Sequence, residues 1–291
     1  MKYFAILISL IFIFSSCSKE NTSDGFKIST NSWIGYAPLF YANEKGYLQK
    51  LNIQLFMNVS LAEASEIYNI GKAQMVTTTQ HEFYTLKNSF PSLTPVILLD
   101  RSNGGDMILS NKKIEELKKA EKIYAYLEID SINAELLKTF IKKNKLDIKK
   151  IEFIDQDQAK IQDVSFTKKK AILIVTYTPY DVTLKKKGFQ EIASTKDLNS
   201  LVVIDALCTT KEFLKQNRNK IEKLKNVLDK SILEIQKNPK ESYHILKGYL
   251  GEMSYEEFLN SLNTIKWINN PSNELFEIIE KIGYKKEYII K

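Results

Sequence analysis

From Phe26 onward, short apolar runs alternate with amphipathic segments, and this alternation constrains the fold more than any other feature of the chain. FKIST, NIQLFM, QMVTT and PVILLD have the apolar, β-branched composition of strands, and PLFYANEKGYLQ and AEASEIYNIGK between them carry apolar residues at helical spacing. Strands joined through helices form a parallel sheet, because each helix covers the face it crosses. RSNGGDMILS breaks this rhythm with a glycine pair, and a second series follows: KIYAYLE, SINAELLKTFIKKN, KIEFID, AILIVTY and PYDVTLKKKG. Two αβ lobes are therefore expected. LVVIDALCTT reads as a returning strand, and the chain from Lys211 as almost wholly helical. In NRNKIEKLKNVLDKSILEIQKNP, residues Ile221, Leu224, Val227, Leu228, Ile232 and Ile235 form one apolar stripe that must lie against the sheets.

The N-terminus points to export. MKYFAILISLIFIFSSC has a lysine at position 2, an apolar run from Tyr3 to Phe14, two small residues and Cys17. The run is shorter than the roughly 20 apolar residues that span a bilayer, so it reads as a leader and not as a permanent anchor. Small residues before a cysteine resemble the lipobox of bacterial lipoproteins, in which the cysteine is acylated, although Phe14 stands where leucine is usual. The resemblance implies a lipid anchor at Cys17, a signal peptide and anchor over 1–17, and a tether over 18–25. The location implied is the periplasmic or cell-surface face of a bacterial membrane.

Charge excludes less than it first suggests. The net charge is +7, but of 42 Lys+Arg only Arg101 and Arg218 are arginine, which removes the usual instrument of bidentate phosphate or base recognition. No nucleic acid partner is expected, and the lysine runs at 168–170 and 185–187 read as solvated faces. With Cys17 given to lipid, Cys208 stands alone and reads as a buried small hydrophobe. Neither a zinc-type cluster nor a glycine-rich phosphate loop is present, since Gly104-Gly105 lacks both nucleotide spacings. No metal and no cofactor is expected.

NSWIGYAPLFYANEKGYLQKLNI, just after FKIST, places Trp33 and Tyr36 where a strand hands over to a helix. Ligand crevices of α/β sheets lie at such strand ends, so the two rings are expected to form a stacking wall; packing of the loop onto the core is the plainer alternative. The order W-x-G-x-x-P-L-x-x-A-x-x-K-G-Y, the N-I strand after it, and NGGDMILS after an apolar run resemble the NMT1/THI5-like solute-binding proteins for nitrate, sulfonates, taurine and thiamin-pyrimidine precursors. The resemblance runs from about Phe26 to the 210s. Two departures stand out: Gln74 replaces an acidic residue before the third strand, and Tyr177-Thr178-Pro179 replaces W-E-P in the second lobe.

The resemblance implies a type 2 periplasmic-binding fold: two lobes, each a mainly parallel sheet flanked by helices, with a helical C-terminal tail packed on them. Lobe 1 would take 26–102 and 206–291, and lobe 2 would take 103–205, with crossings near 101–106 and 201–207. The protein would be a monomer that encloses a small polar or heterocyclic solute and presents it to an ABC permease and ATPase. Candidate ligand contacts are the strand ends and helix starts facing the cleft. In the first lobe these are Ser32, Trp33, Tyr36, Ser60, Glu63, Thr78 and Thr79; in the second they are Glu128, Ser131, Tyr177 and Thr178, with Asn103 in the first crossing beside Asp106. Ser60 with Glu63 also spells a capping box, Ser131 is a natural N-cap, and Asp205 in the second crossing can be a structural partner. Trp33, Tyr36 and Tyr177 would stack, and Glu63 and Glu128 would meet an amine, which favours an amine-bearing planar heterocycle. Oxyanions held by backbone amides stay open.

Two other classes are consistent with the fold. A sensory module would bind the same way and signal instead of feeding an importer. A thiamin-pyrimidine enzyme would need a reactive lysine and histidines for iron, whereas the chain has only His81 and His244, with no nucleophile, base and orienter set. Binding without catalysis is the expectation.

Overall fold

The computed structural model describes residues 25–198 and 201–291. The leader, Cys17 and the tether up to residue 24 lie outside the described residues. The first sheet begins with β1 (Phe26–Asn31), β2 (Ile53–Asn58), β3 (Met75–Thr78) and β4 (Leu93–Ser102). The chain then crosses to a second sheet of β5 (Asp106–Ser110), β6 (Ile123–Leu127), β7 (Ile151–Asp155), β8 (Ala171–Tyr177) and β9 (Gln190–Ser194). It returns as β10 (Ile204–Thr210) and adds β11 (Ile265–Trp267). The larger sheet has the order β11-β4-β10-β3-β1-β2, and the smaller β7-β6-β8-β5-β9. β1 runs parallel to β2 and β3, while β10 runs antiparallel to β3 and β4. In the second sheet β6 is parallel to β7 and β8, and β5 is antiparallel to β8 and β9.

Helices fill the connections: α1 (Ala37–Glu44), α2 (Leu61–Asn69) and α3 (Gln80–Ser89) after β1, β2 and β3, and α4 (Ile114–Lys119) before β6. α5 (Ile132–Asn144), α6 (Gln158–Ile161) and α7 (Asp181–Lys186) follow β6, β7 and β8. The tail holds α8 (Lys211–Lys237), α9 (Pro239–Leu246), α10 (Tyr255–Ser261) and α11 (Asn273–Lys281). One sequence expectation needs correction: DMILS is not a break but β5, an inner antiparallel strand of the second sheet. The tail is almost wholly helical as expected, with the short β11 inserted in it. β11 has three residues, too few to show a period; its pairing with β4 defines it.

The larger sheet is covered on both faces. On one face Ile28 and Ile97 of the sheet share a core with Leu39 of α1 and Ile221, Leu224, Leu228 and Ile235 of α8. Another cluster joins Val76, Leu98 and Cys208 to Phe276 and Ile279 of α11. Each such aliphatic side chain contributes about 1.5–3 kcal/mol when removed from water, which is why the α8 stripe is held to the sheet along its length. Cys208 is buried beside the Thr78 hydroxyl, 3.3 Å away, and burial pushes its thiol up to about 12, so it is inert as the sequence suggested. The smaller sheet has its own cores, with Ile123, Leu137, Phe140 and Val175 in one and Met107, Ile161, Ile174 and Phe189 in the other.

Between β4 and β5 the chain passes through Gly104, whose φ of +115° favours glycine. The amides of Asn103 and Gly105 both donate to the carbonyl of Thr264, just before β11, at 2.8 and 3.0 Å. The tail is thereby tied to the first crossing.

Candidate functional site

The W-x-G-x-x-P segment explains itself once the strands behind it are in place. Trp33 turns inward and its Nε1 donates to the carboxylate of Asp100 at the end of β4, 3.3 Å from each oxygen. Gly35 is required beside it, because a methyl there would overlap both the Asp100 carboxylate and the Trp33 nitrogen. Gly105 meets the other end of the indole, where a methyl would overlap the ring. Tyr36 donates its hydroxyl to Asp205 Oδ1 at 2.5 Å, and Asp205 sits opposite Asp100 in the β10–β4 register. The rings expected as an open stacking wall are thus enclosed, Trp33 4% and Tyr36 1% exposed, with their polar ends bound to carboxylates.

The second lobe meets this surface through Tyr177, at the end of β8. Its ring stands edge-on to Trp33, centroids 5.9 Å apart, and its hydroxyl accepts from Asn31 Nδ2 at 3.0 Å. Asp106 lies opposite Tyr177 in the β5–β8 register. Glu128, just after β6, accepts the amide of Gln158 on Oε1 at 3.0 Å. Glu82 on α3 joins the lobes directly: one oxygen accepts the amide of Ile132 (3.0 Å), the other the amide and hydroxyl of Thr79. The amide of Ile34 donates to Thr178 O at 3.2 Å, and the Tyr180 hydroxyl to Val59 O at 3.1 Å. Four bonds of this kind, from Asn31, Ile132, Ile34 and Tyr180, hold the two lobes together around buried polar groups.

Those groups are mainly acidic. Glu82, Asp100, Asp106, Glu128 and Asp205 are all buried. Burial pushes Glu128 up to about 8 and Asp106 up to about 6, because desolvation disfavours the charged form. Asp100 and Asp205 are held well above the usual carboxylate range by burial first and by neighbouring carboxylates after it, while the Trp33 and Tyr36 donors pull the other way. Asn31 Oδ1, Asp106 Oδ2, Glu128 Oε2 and both amide atoms of Asn133 are buried with no hydrogen-bond partner.

The remaining sequence candidates divide. Ser32 is half-buried beside Tyr180. Thr79 caps α3 and supports Glu82, and Ser131 caps α5 while donating to Glu128 O at 2.9 Å, so both position cleft groups. Ser60 caps α2, and Glu63 is exposed with its carboxylate on the Val59 amide at 2.7 Å. Glu63 therefore has a local role instead of the expected contact with an amine. Thr78 faces Cys208. Asn103 and Thr178 line a separate groove of about 560 Å³ with Asp181, Lys185 and residues of α10. Asp100, Glu82, Asn31 and Asn133 escaped the sequence reading. Asp100 did leave a signal, an acid closing the otherwise apolar run PVILLD, and Glu82 left another, since Thr79-Gln80-His81-Glu82 spells a capping box. Among the described residues no set of three or more His, Cys, Asp or Glu is placed to hold a metal ion.

Solved structures share this architecture. The ligand-binding component of an ABC-type import system from Staphylococcus aureus, with zinc bound, superposes with a TM-score of 0.70 at 14% identity, covering 89% of this chain and 90% of that one. The periplasmic aliphatic sulphonate-binding protein SsuA from Escherichia coli gives 0.69 at 15% identity, covering 89% and 90%. The alkanesulfonate-binding protein SsuA from Xanthomonas axonopodis pv. citri, bound to MOPS, gives 0.71 at 13% identity, covering 89% of each. The fold is thus that of the two-lobed type 2 periplasmic-binding proteins. The family model described as NMT1/THI5 like matches residues 33–242, and the chain belongs to that family. No curated protein matches it by sequence.

Proposed function

We propose that the protein is an extracytoplasmic solute-binding lipoprotein that captures a small polar solute between its lobes and delivers it to an ABC importer. The observation that carries this reading is the interlobe seam, where backbone and side chains of both lobes bond to one another around buried polar atoms that lack partners. A solute occupying such a seam favours the closed state by the difference in its affinity for the two states, and closure changes the surface offered to a permease. Membership in the NMT1/THI5 like family and likeness to import-system binding components support the same reading. Binding, and not catalysis, is its substance. The leader and Cys17 would place the protein on the outer face of a membrane through lipid.

Closure is tested by X-ray scattering on the leader-free protein, with solutes first found by thermal shift. A bound solute should reduce the radius of gyration; an unchanged radius at saturation would overturn the reading. Anchoring is tested separately: Cys17→Ser should release the protein from membranes or leave it unprocessed, and membrane-retained, acylated protein would refute the lipid anchor.

A further inference from the structure

We infer that the cleft is built for a small organic cation, an amine, guanidine or protonated nitrogen heterocycle, received by Asp106 and Glu128 together with the side-chain oxygen of Asn31. The inference rests on the reading of the cleft as a solute site and names the class of solute. Its first support is not acidic at all. Asn31 is wholly buried, its amide nitrogen is fixed on the Tyr177 hydroxyl, and its Oδ1 has no partner. Such an oxygen requires a donor, because a buried polar atom left unpaired costs stability.

The second support is convergence. The Tyr177 hydroxyl that takes the Asn31 amide also lies within electrostatic reach of Glu128 and Asp106, the two carboxylates that each keep one buried oxygen without a partner. Asn31 of β1 thus bonds the phenol, Asp106 of β5 stands opposite Tyr177 in the strand register, and Glu128 at the end of β6 acts on it electrostatically. The charges that act on Asp106, Glu128 and Asp205 are those of further carboxylates: Glu82 on all three, Asp157 and Asp155 on Glu128, Asp100 and Asp106 on Asp205. Lys185, on the helix after Tyr177, is already paired with Asp181 and Glu191. A nitrate or sulfonate placed here would find no cationic partner among these groups, whereas an N–H-bearing cation supplies the donor that Asn31 Oδ1 lacks and favours the ionised form of Asp106 and Glu128. The carboxylates flank the seam without forming a set that can hold a metal ion among the described residues, so the cation is organic.

The test uses the leader-free protein and three sets of small probes at 10 mM and constant ionic strength: methylammonium, choline, benzamidine and 4-aminopyridine as cations, benzamide as a neutral counterpart, and nitrate and benzenesulfonate as anions. At least one cation should raise the melting temperature where benzamide and the anions do not. Glu128→Gln and Asp106→Asn should each weaken that cation at least tenfold while circular dichroism stays native. Calorimetry in two buffers of different ionisation enthalpy should register proton release on binding at pH 7, a readout independent of the variants. An anion that binds while every cation fails, silence from all cations, or cation binding that neither variant alters overturns the assignment. The solute-binding reading fails separately: a bound cation that leaves the scattering radius unchanged keeps the assignment and removes closure, and a bound anion that shrinks the radius does the reverse.

Discussion

Asp100 and Asp205 on one side of the cleft, and Asp106 and Glu128 on the other, are four buried carboxylates with opposite fates. The first two face each other across β4 and β10 and take the indole N–H of Trp33 and the hydroxyl of Tyr36. The second two, on strands of the smaller sheet or just beyond them, each keep an oxygen with no partner. All four are buried carboxyl groups. An acid whose oxygens are met by side-chain donors fixes the architecture; an acid left with a bare oxygen beside the seam is where we propose that a solute binds. Four experiments break or sharpen this contrast.

The largest effect should come from Trp33→Ala. It removes a buried ring and strands the Asp100 carboxylate, and urea denaturation should show a loss of about 3–5 kcal/mol. A loss below 1 kcal/mol, on the same order-of-magnitude scale, would mean that the Asp100 pair is not structural after all.

Titration separates the other pair. Asp106 is raised to about 6 and Glu128 to about 8, above the unfolded values near 4, so the folded chain holds protons that the unfolded chain has lost. Their contribution is complete below about pH 4 and is lost as pH rises through 6 and then 8. The ligand-free protein should therefore lose on the order of a few kcal/mol between pH 5 and 9, with Asp100 and Asp205 adding to the loss in the same direction, and Glu128→Gln should make the fall above pH 6 shallower. A profile that is flat from 5 to 9 would contradict the environment assigned to these two groups.

Gly105→Ala should act on the seam between the pairs. Its methyl would press on the Trp33 ring, and overpacking of this kind costs about 1–3 kcal/mol. An unchanged melting temperature would show that the indole has room to move. The smallest effect is expected at Ser60→Ala, which deletes the α2 cap for about 1 kcal/mol and should leave solute affinity untouched. A parallel loss of affinity would return Ser60 to the cleft.

Much of the fold was legible because it rests on patterns that repeat: alternating apolar runs, the α8 stripe, and the spacing of the W-x-G-x-x-P segment. β5 and β11 were not, since each is defined by antiparallel partners elsewhere in the chain and carries no period of its own. In the site, strand-end positions such as Tyr177, Glu128, Trp33 and Tyr36 could be nominated from sequence, but the direction of a side chain could not. Trp33 points inward because an acid 67 residues away waits behind it. Glu63 and Glu128 look alike in sequence, both near the start of a helix; one closes on an amide four residues back, the other turns into the protein. Local spelling favours the first outcome, and only the assembled sheets decide the second.

The carbonyl of Thr264 that receives Asn103 and Gly105 also has a bearing on the order of manufacture. A chain made from its N-terminus exposes the first crossing early, with both amides unanswered, and supplies their acceptor only after the whole smaller sheet and α8 have been produced. Until then the crossing lacks its brace, and the smaller sheet is free to find its own cores before its orientation to the larger one is fixed.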